Sequence, residues 1–462
     1  MSADIAVVGL GVMGGNIARN IDRNGFVVSL YNRTRSKTDE VIRVANSQKM
    51  IGCDTLEECV NSLKTPRVVL MMVTDSAVDV FTEQLGKLLK PGDILIDGGN
   101  SHWKATERRQ QSLNGTGVNF IGMGISGGEE GALKGPSIMF GGPVEAWNAC
   151  KHILTTIGAK AEDGQSCVAR VGERGSGHFV KMVHNAIEYA DLQLIAEIYD
   201  LMKNVLHLSN EEMAETFSNW NKAELRSFLI QSAEIVLKKK EEKGHIIDFI
   251  KGVAGQKGTG KWAAQDAFDI GFPTPAFSEA VDARLVSGLI LERQRAALIY
   301  PKPSQSNPLK ITVQHLKDAL YASKIVAYAQ GLALIDAANK QFNYGVNLAE
   351  CARIWRAGCI IRADLLAAIL QHFTPEYPNL LLVPHFANEV RTRLESWRLV
   401  VASSTLSGIP VPVLSSSLSF LDSYTTDKLP ANMIQAIRDY FGAHTYQRID
   451  KEGVFHTEWD TQ

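Results

Sequence analysis

Apolar residues are arranged in two regimes along the chain. In the first third they come in short unbroken runs: Ile5-Ala6-Val7-Val8, Phe26-Val27-Val28-Ser29-Leu30-Tyr31, Val68-Val69-Leu70-Met71-Met72-Val73, Ile94-Leu95-Ile96-Asp97 and Phe120-Ile121-Gly122-Met123-Gly124. Runs of this length, with turn residues after them and helical stretches between, predict strands buried on both faces of a mostly parallel sheet. After about Gly175 the runs stop. Apolar residues then recur at three- and four-residue spacing, which predicts helices over 191–205, 210–219, 223–240, 317–339 and 348–371. The pattern therefore divides the chain into an α/β domain over 1–175, an all-helical domain over 176–430 and a C-terminal tail over 431–462.

The helical part carries an internal repeat. Gly271-Phe272-Pro273-Thr274-Pro275-Ala276-Phe277-Ser278 resembles Gly408-Ile409-Pro410-Val411-Pro412-Val413-Leu414-Ser415, and Tyr189-Ala190 resembles Tyr328-Ala329. Trp220 and Arg226 precede one copy as Trp355 and Arg362 precede the other, at offsets close to 137 residues. Ordered similarity at a fixed offset predicts a duplicated helical unit.

The first run leads into Gly9-Leu10-Gly11-Val12-Met13-Gly14, followed by helical sequence to Ile21. A GxGxxG between a strand and a helix is the turn of a Rossmann-like dinucleotide site: Gly9 makes the turn, Gly11 admits the pyrophosphate, and Gly14 lets helix pack on strand. At the end of the second strand, where an NAD site carries an acid for the ribose hydroxyls, this chain has Asn32-Arg33-Thr34-Arg35. Arg33 suits a 2′-phosphate, so the cofactor expected is NADP. Asn100 and Ser126-Gly127-Gly128 stand beyond later strands, at the sheet edge where such folds bind ligands.

The first helical residues hold an unusual stripe. Lys181, His184, Asn185 and Glu188 lie at i, i+3, i+4 and i+7 and share one helix face, while Met182, Val183, Ala186, Ile187 and Ala190 fall mostly elsewhere. A solvated face repeats Glu and Lys instead, and His and Asn add little helix propensity. Gly175 and Gly177 just ahead allow a backbone or a ligand to approach closely. The second repeat lacks the stripe, with Ala327 where Glu188 stands in the first, so the scaffold does not require it.

Composition changes the picture mainly by exclusion. The 462 residues are 45% hydrophobic and 21% charged, with a formal charge of −2, which leaves no electrostatic footprint for nucleic acid or an acidic membrane. Six cysteines show no CxxC pair or metal spacing, so reduced buried thiols, a cytoplasmic setting and no metal are expected. The start lacks the basic segment of a signal peptide, and no apolar run is long enough to span a membrane. Gly255-Gln256-Lys257-Gly258-Thr259-Gly260-Lys261-Trp262 mimics a P-loop, but Trp262 replaces the Ser or Thr that holds Mg²⁺ and no clear strand precedes it. The end of the chain, 435–446, is too aromatic for a disordered tail and is expected to dock, on a second subunit among other places.

The combination closely resembles the 6-phosphogluconate dehydrogenases, the NADP-dependent decarboxylating enzymes of the oxidative pentose phosphate pathway and gluconate utilization. The resemblance runs essentially end to end and is carried by Ile125-Ser126-Gly127-Gly128-Glu129-Glu130-Gly131-Ala132, residues 179–194, residues 254–262 and residues 438–446. It implies that Lys181 is the base for the substrate 3-hydroxyl and Glu188 the acid that protonates C1 of the enediol after CO2 leaves. A 3-keto acid decarboxylates readily once its carbonyl is polarised, so that chemistry needs no metal. The resemblance further implies that Ser126, Gly127, Gly128, His184 and Asn185 hold the sugar acid, with Asn100 touching both ligands. Tyr189, Lys257 and Arg284 would hold the phosphate, and Arg438 and His444 would reach in from the partner of a homodimer. Gly9, Leu10, Gly11, Val12, Met13, Gly14, Asn32, Arg33, Thr34, Val73, Thr74 and Asp75 would hold NADP. The chain departs from the family at Ala186 and Ala190, where glycine is usual, and at Thr74-Asp75-Ser76, where many members have Lys-Ala-Gly. It also ends at Trp459-Asp460-Thr461-Gln462 without the glycine-rich extension of longer members. Two rival readings remain at this level. A β-hydroxyacid dehydrogenase of other substrate would share the first domain and a similar lysine; a non-catalytic NADP sensor would leave Lys181 and Glu188 without a role.

Overall fold

The structure, a computed structural model, describes residues 2–303 and 309–460. Met1, and Thr461 and Gln462 at the end of the expected tail, lie outside them. The strands are β1 (Ile5–Val8), β2 (Val28–Tyr31), β3 (Met50–Gly52), β4 (Val68–Met71), β5 (Ile94–Asp97), β6 (Asn119–Ser126), β7 (Ser137–Gly141) and β8 (Val168–Gly172). They form one sheet in the order β3-β2-β1-β4-β5-β6-β7-β8. Every pair is parallel except β6 with β7. The order reverses between β1 and β4, and the crevice beyond that switch point is where such sheets bind ligands.

Every expected strand is present, with shifted ends: the run at 26–31 pairs only from Val28, and the run at 68–73 stops at Met71. Three strands escaped the pattern. β3 is a three-residue edge strand, β7 has only three apolar residues between Ser137 and Gly141, and β8 carries Arg170 in its middle. The sheet is followed directly by helix: β8 ends at Gly172 and the next helix begins at Ser176.

Two long helices, Ser176–Asn204 and Val313–Phe342, form the middle of the helical part. Each is covered along most of its circumference, which is why both sequences are apolar beyond a single stripe. They begin 137 residues apart, as do Pro275–Ser287 and Pro412–Tyr424, each of which starts with Pro in its first turn. In that register the counterparts of Lys181, His184, Asn185 and Glu188 are Asp318, Tyr321, Ala322 and Ile325, so Ile325 rather than Ala327 stands opposite Glu188, and the stripe is still absent.

Two expected helices are corrected. The stretch 348–371 is two helices, Leu348–Ile354 and Asp364–His372. Between them Gly358 adopts φ +66 and its carbonyl accepts from Ser137 N at 2.9 Å, so the chain is drawn out of helix to pair with the start of β7. The stretch 223–240 is helical only over Phe228–Lys238; Ser227 caps it, and Phe228 N donates to Arg362 O at 3.0 Å. A small ribbon, Lys240–Glu241 with Gly244–His245, adds strands where none were expected. The P-loop mimic is preceded by irregular chain, not by a strand, and opens helix Thr259–Ile270.

Helix Ser176–Asn204 lies directly on the sheet. A Cβ on Gly177 would stand 2.2 Å from Gly122 O and 2.6 Å from Met139 O. The close approach that Gly177 permits is thus to the backbone of β6 and β7. Ala186 and Ala190 are fully buried in the helical core, where their methyls are accommodated.

Candidate active site

A cavity of about 630 Å³ opens where the sheet's carboxyl edge meets the helical part. Met13, Asn100, Ser126, Lys181, Glu188 and Arg284 all line it, drawn from five separate segments. Gly127, Gly128, Asn185, Tyr189 and Lys257 line it as well. The sequence therefore named most of the wall, and the fold brings it together from Met13 to Ile360, residues 347 positions apart.

Several parts of the wall are held by specific contacts. Asp97 is fully buried at the end of β5; it accepts from Gly99 N at 3.0 Å and from Ser101 Oγ at 2.6 Å, and so fixes the turn that presents Asn100. Gly127 (φ +142) continues β6 past Ser126 against the backbone of Gly358, where a Cβ would stand 2.8 Å from its carbonyl oxygen. Helix Thr259–Ile270 packs so tightly on Tyr189 that a Cβ on Gly260 would lie 2.4 Å from the ring. Arg284 stacks its guanidinium on the same ring at 3.5 Å and donates to Gly255 O at 3.2 Å, linking the loop that carries Lys257 to the floor.

A chain of hydrogen bonds fixes the polar stripe. Asn185 Nδ2 donates to Thr259 Oγ1 at 3.1 Å, so its Oδ1 faces His184 Nδ1 at 3.0 Å and accepts from it. Burial, with Lys181 adding to it, holds His184 well below its usual pKa and hence neutral. Its Nε2 is then the acceptor, 3.2 Å from Ser126 Oγ, and the serine donates. His184 does not line the cavity; it stands behind Ser126 and Asn185 and sets their orientation.

Lys181 and Glu188 differ from the rest of the stripe in their electrostatics. Burial pushes the Lys181 ammonium down to about 8, opposed by Glu188 and Cys359. A displacement of that size corresponds to about 3 kcal/mol against the charged form. Burial likewise pushes Glu188 up from its usual value, opposed by Lys181 and Arg284. One buried site thus holds an amine able to lose its proton near neutral pH and a carboxyl shifted toward its protonated form, the pattern of a base and an acid.

The nucleotide turn fits a dinucleotide. Gly9 has φ +94, and a Cβ on Gly14 would be 1.9 Å from Gly9 O, so helix Val12–Arg23 must start tight against β1. Gly11 has no atom within 4 Å of where its Cβ would be, which leaves room on the side a pyrophosphate would take. Asn32 Oδ1 accepts from Leu10 N at 3.0 Å, and its Nδ2 donates to Thr34 O at 3.1 Å. This ties the glycine turn to the segment bearing Arg33. Arg33 is exposed and has no ion-pair partner among the described residues, whereas Arg35 is held by Asp39 and Asp54. Val12 is exposed at the head of its helix, and Val73 packs beside Gly9.

Thr74 and Asp75 begin helix Asp75–Gly86. The Asp75 carboxylate lies 3.3 Å from Arg109, which also reaches Asp79 at 2.8 Å and Asp97 at 3.5 Å. A cation does stand beside this turn, therefore, but it arrives from helix Trp103–Ser112 and no local pattern announced it. Thr259, Gln256 and Ile360 were also missed as wall residues. Thr259 was visible as a residue of the P-loop mimic and of the 254–262 stretch but was given no role, and Ile360 enters through the turn that breaks the expected helix. Arg438 and His444 stand apart from the cavity on the tail, where both are exposed.

Comparison with known proteins finds relatives over essentially the whole chain. Residues 4–172 match the family described as NAD binding domain of 6-phosphogluconate dehydrogenase, and residues 177–459 match 6-phosphogluconate dehydrogenase, C-terminal domain. The chain is 49% identical to the decarboxylating 6-phosphogluconate dehydrogenase of Escherichia coli (strain K12), over 98% of each chain. It is equally 49% identical, over 98% of each chain, to the NADP(+)-dependent decarboxylating enzyme of Bacillus subtilis (strain 168). Among solved structures it matches the Plasmodium falciparum 6-phosphogluconate dehydrogenase, studied as apo form and with NADP+ and 6-phosphogluconate. There the TM-score is 0.95 and the identity 39%, over 98% of this chain and 100% of that one.

Proposed function

The chain belongs to the 6-phosphogluconate dehydrogenase family, and on that premise we propose that it oxidatively decarboxylates 6-phospho-D-gluconate to D-ribulose 5-phosphate and CO2 with formation of NADPH, in the oxidative branch of the pentose phosphate pathway. The observation that carries this reading is Lys181 and Glu188 on one wall of one cavity, both displaced by burial toward their neutral forms. NADP, when bound, supplies the hydride acceptor for C3.

The residues divide the remaining work. Neutral Lys181 takes the proton from the 3-hydroxyl as the carbonyl forms, and the resulting ammonium polarises that carbonyl while the carboxylate departs as CO2. Glu188, which burial shifts toward its protonated form, gives its proton to C1 of the enediol. Ser126, Gly127, Gly128 and Asn185 hold the sugar acid, with His184 behind them as the element that orients Ser126 and Asn185, and Asn100 stands between sugar and cofactor. Tyr189, Lys257 and Arg284 cluster on one side of the cavity, as a phosphate-bearing substrate requires and a small β-hydroxyacid does not. Gly9, Leu10, Gly11, Val12, Met13, Gly14, Asn32, Arg33, Thr34, Val73, Thr74 and Asp75 form the NADP side, with Arg33 as the partner for the 2′-phosphate.

The working unit is a homodimer in which the partner's tail completes the phosphate end of the cavity with Arg438 and His444. Support comes from helix Ala431–Gly442, which exposes Met433, Ile434, Ile437, Tyr440 and Phe441. An apolar face of that extent calls for a covering surface. The test is NADPH absorbance with 6-phosphogluconate against 3-hydroxyisobutyrate, repeated with NAD. Turnover confined to the phosphorylated substrate with NADP is expected, with CO2 released. The variant Lys181→Met should form no NADPH yet bind NADP; normal turnover by it would sink the assignment.

A further inference from the structure

The tail is organised around a carboxylate. Helix Ala431–Gly442 buries one residue, Asp439, which is fully enclosed while the apolar side chains around the helix are exposed. Its Oδ1 accepts from Thr445 N at 2.9 Å and lies 3.0 Å from His456 Nδ1. Its Oδ2 accepts from Thr457 N at 3.0 Å and from Trp459 Nε1 at 2.9 Å. Against the burial that pushes it up, these donors, His456 foremost, hold Asp439 down to about 2, so it is an anion throughout the physiological range.

The four donors come from both ends of the hook that follows the helix. Thr445 stands just past the helix end, where Ala443 and Thr445 take positive φ of 49 and 61. His456, Thr457 and Trp459 lie on the returning arm, which pairs with the outgoing one through Tyr446 and Phe455 at 2.9 and 2.8 Å. Gln435 Nε2 also donates to Thr445 O at 2.6 Å, and Gln435 Oε1 accepts from Arg438 Nη1 at 3.1 Å. Arg438 is the residue before Asp439, and His444 lies between the two positive-φ residues whose backbone Asp439 fixes. A backbone forced through αL at non-glycine residues persists only where its surroundings hold it there.

We propose that Asp439 is a positioning residue of the reaction: its carboxylate clamps residues 445 and 456–459 onto helix Ala431–Gly442 and so sets the direction in which Arg438 and His444 are presented to the phosphate of the substrate in the partner subunit. This rests on the reading that the tail serves the partner's cavity. Asp439 touches neither substrate nor cofactor. Its role is to order the hook before the hook meets its site, so that binding is not weakened by the cost of ordering it.

The experiment compares Asp439→Asn with Arg438→Ala in the full-length enzyme. The amide nitrogen of Asn places a donor among donors, so the hook should loosen while the dimer persists by sedimentation. KM for 6-phosphogluconate should then rise about tenfold or more, with KM for NADP within twofold of wild type. Arg438→Ala should raise KM for 6-phosphogluconate in the same way. If Asp439→Asn keeps the wild-type KM while Arg438→Ala does not, the positioning role is overturned. If Arg438→Ala keeps it, the reading of the tail as a substrate-binding element fails first. A second measurement mixes Asp439→Asn chains with Lys181→Met chains under conditions that exchange subunits. A hybrid joins an intact Lys181 to an intact partner tail, so a population with wild-type KM should appear that neither variant shows alone. Absence of that population overturns donation across subunits.

Discussion

Trp103 Nε1 donates to Asp266 Oδ2 at 2.6 Å, across the boundary between the sheet domain and the helical part. Asp266 is nearly inaccessible and also lies 3.2 Å from His102 Nε2 and 2.9 Å from Lys104 Nζ. Three consecutive residues that follow the Asn100 turn are thereby pinned to the helix that opens behind Lys257. The cofactor-side and phosphate-side walls of the cavity are coupled through this carboxylate, with Lys104 Nζ also 2.8 Å from Asp269 on the same helix.

Replacing Asp266 by Ala should accordingly loosen both walls. The buried indole N–H is left without an acceptor, which costs about 1–3 kcal/mol. Thermal unfolding should report a lower midpoint, and KM for 6-phosphogluconate should rise because the Lys257 loop is no longer fixed relative to Asn100. A variant with unchanged melting and unchanged KM would show that the two walls are held together by other contacts.

Removing the acid should move the pH dependence of the base in a defined direction. Burial lowers Lys181 to about 8, and the Glu188 carboxylate is the first of the influences that raise it. The active form has Lys181 neutral, so kcat/KM should rise as pH increases through about 8 in the wild type. In Glu188→Gln the raising influence is gone and the Lys181 pKa falls. The acid limb of the hydride-transfer step, followed by stopped-flow NADPH absorbance, should therefore shift to lower pH even as overall turnover drops. A shift to higher pH would contradict the electrostatic coupling.

The catalytic helix is set on the sheet by contacts with no slack. A Cβ on Gly124 would stand 2.3 Å from Lys181 Cβ and 2.9 Å from Gly177 O. Gly124→Ala must therefore push the helix away from β6 at the position of the base. Overpacking of this kind costs about 1–3 kcal/mol of stability, and a displacement of order 1 Å at a reacting group lowers rate by up to about 10²-fold. The expected result is a folded protein with kcat reduced at least tenfold and NADP affinity close to wild type by fluorescence titration. Wild-type kcat in a folded Gly124→Ala enzyme would falsify the account.

Some of this was legible along the chain and some was not, for physical reasons. The glycine turn, the stripe from Lys181 to Glu188 and the Ser126-Gly127-Gly128 turn are local patterns, in which spacing maps directly onto geometry. β3 and β8 were hidden because an edge strand and a strand carrying Arg170 lack the apolar run of a central strand. The break in 348–371 was hidden because its cause is a distant partner: the Gly358 carbonyl is claimed by Ser137 on β7. Arg109 and Asp266 were invisible for the same reason, since each acts on groups brought near only by folding. The stripe also concealed a division of labour. His184 shares its face with Lys181 yet supports the cavity from behind, because Ser126 comes between it and the open space.

Cofactor choice turns on Arg33. It sits in the segment tied to the glycine turn through Asn32, is exposed, and has no carboxylate partner among the described residues, while the neighbouring Arg35 is held by Asp39 and Asp54. A 2′-phosphate would give Arg33 charge-assisted hydrogen bonds worth about 1.5–3 kcal/mol, equivalent to roughly 10- to 100-fold in affinity. NAD, which lacks that phosphate, gains nothing from the side chain. Arg33→Ala should thus raise KM for NADP by roughly 10- to 100-fold and leave KM for NAD within twofold. Arg35→Ala should have the smaller effect, because its guanidinium is already committed to two carboxylates. Steady-state assays of both variants with both cofactors check the order, and an Arg35 effect larger than that of Arg33 would move the phosphate contact to the neighbouring side chain.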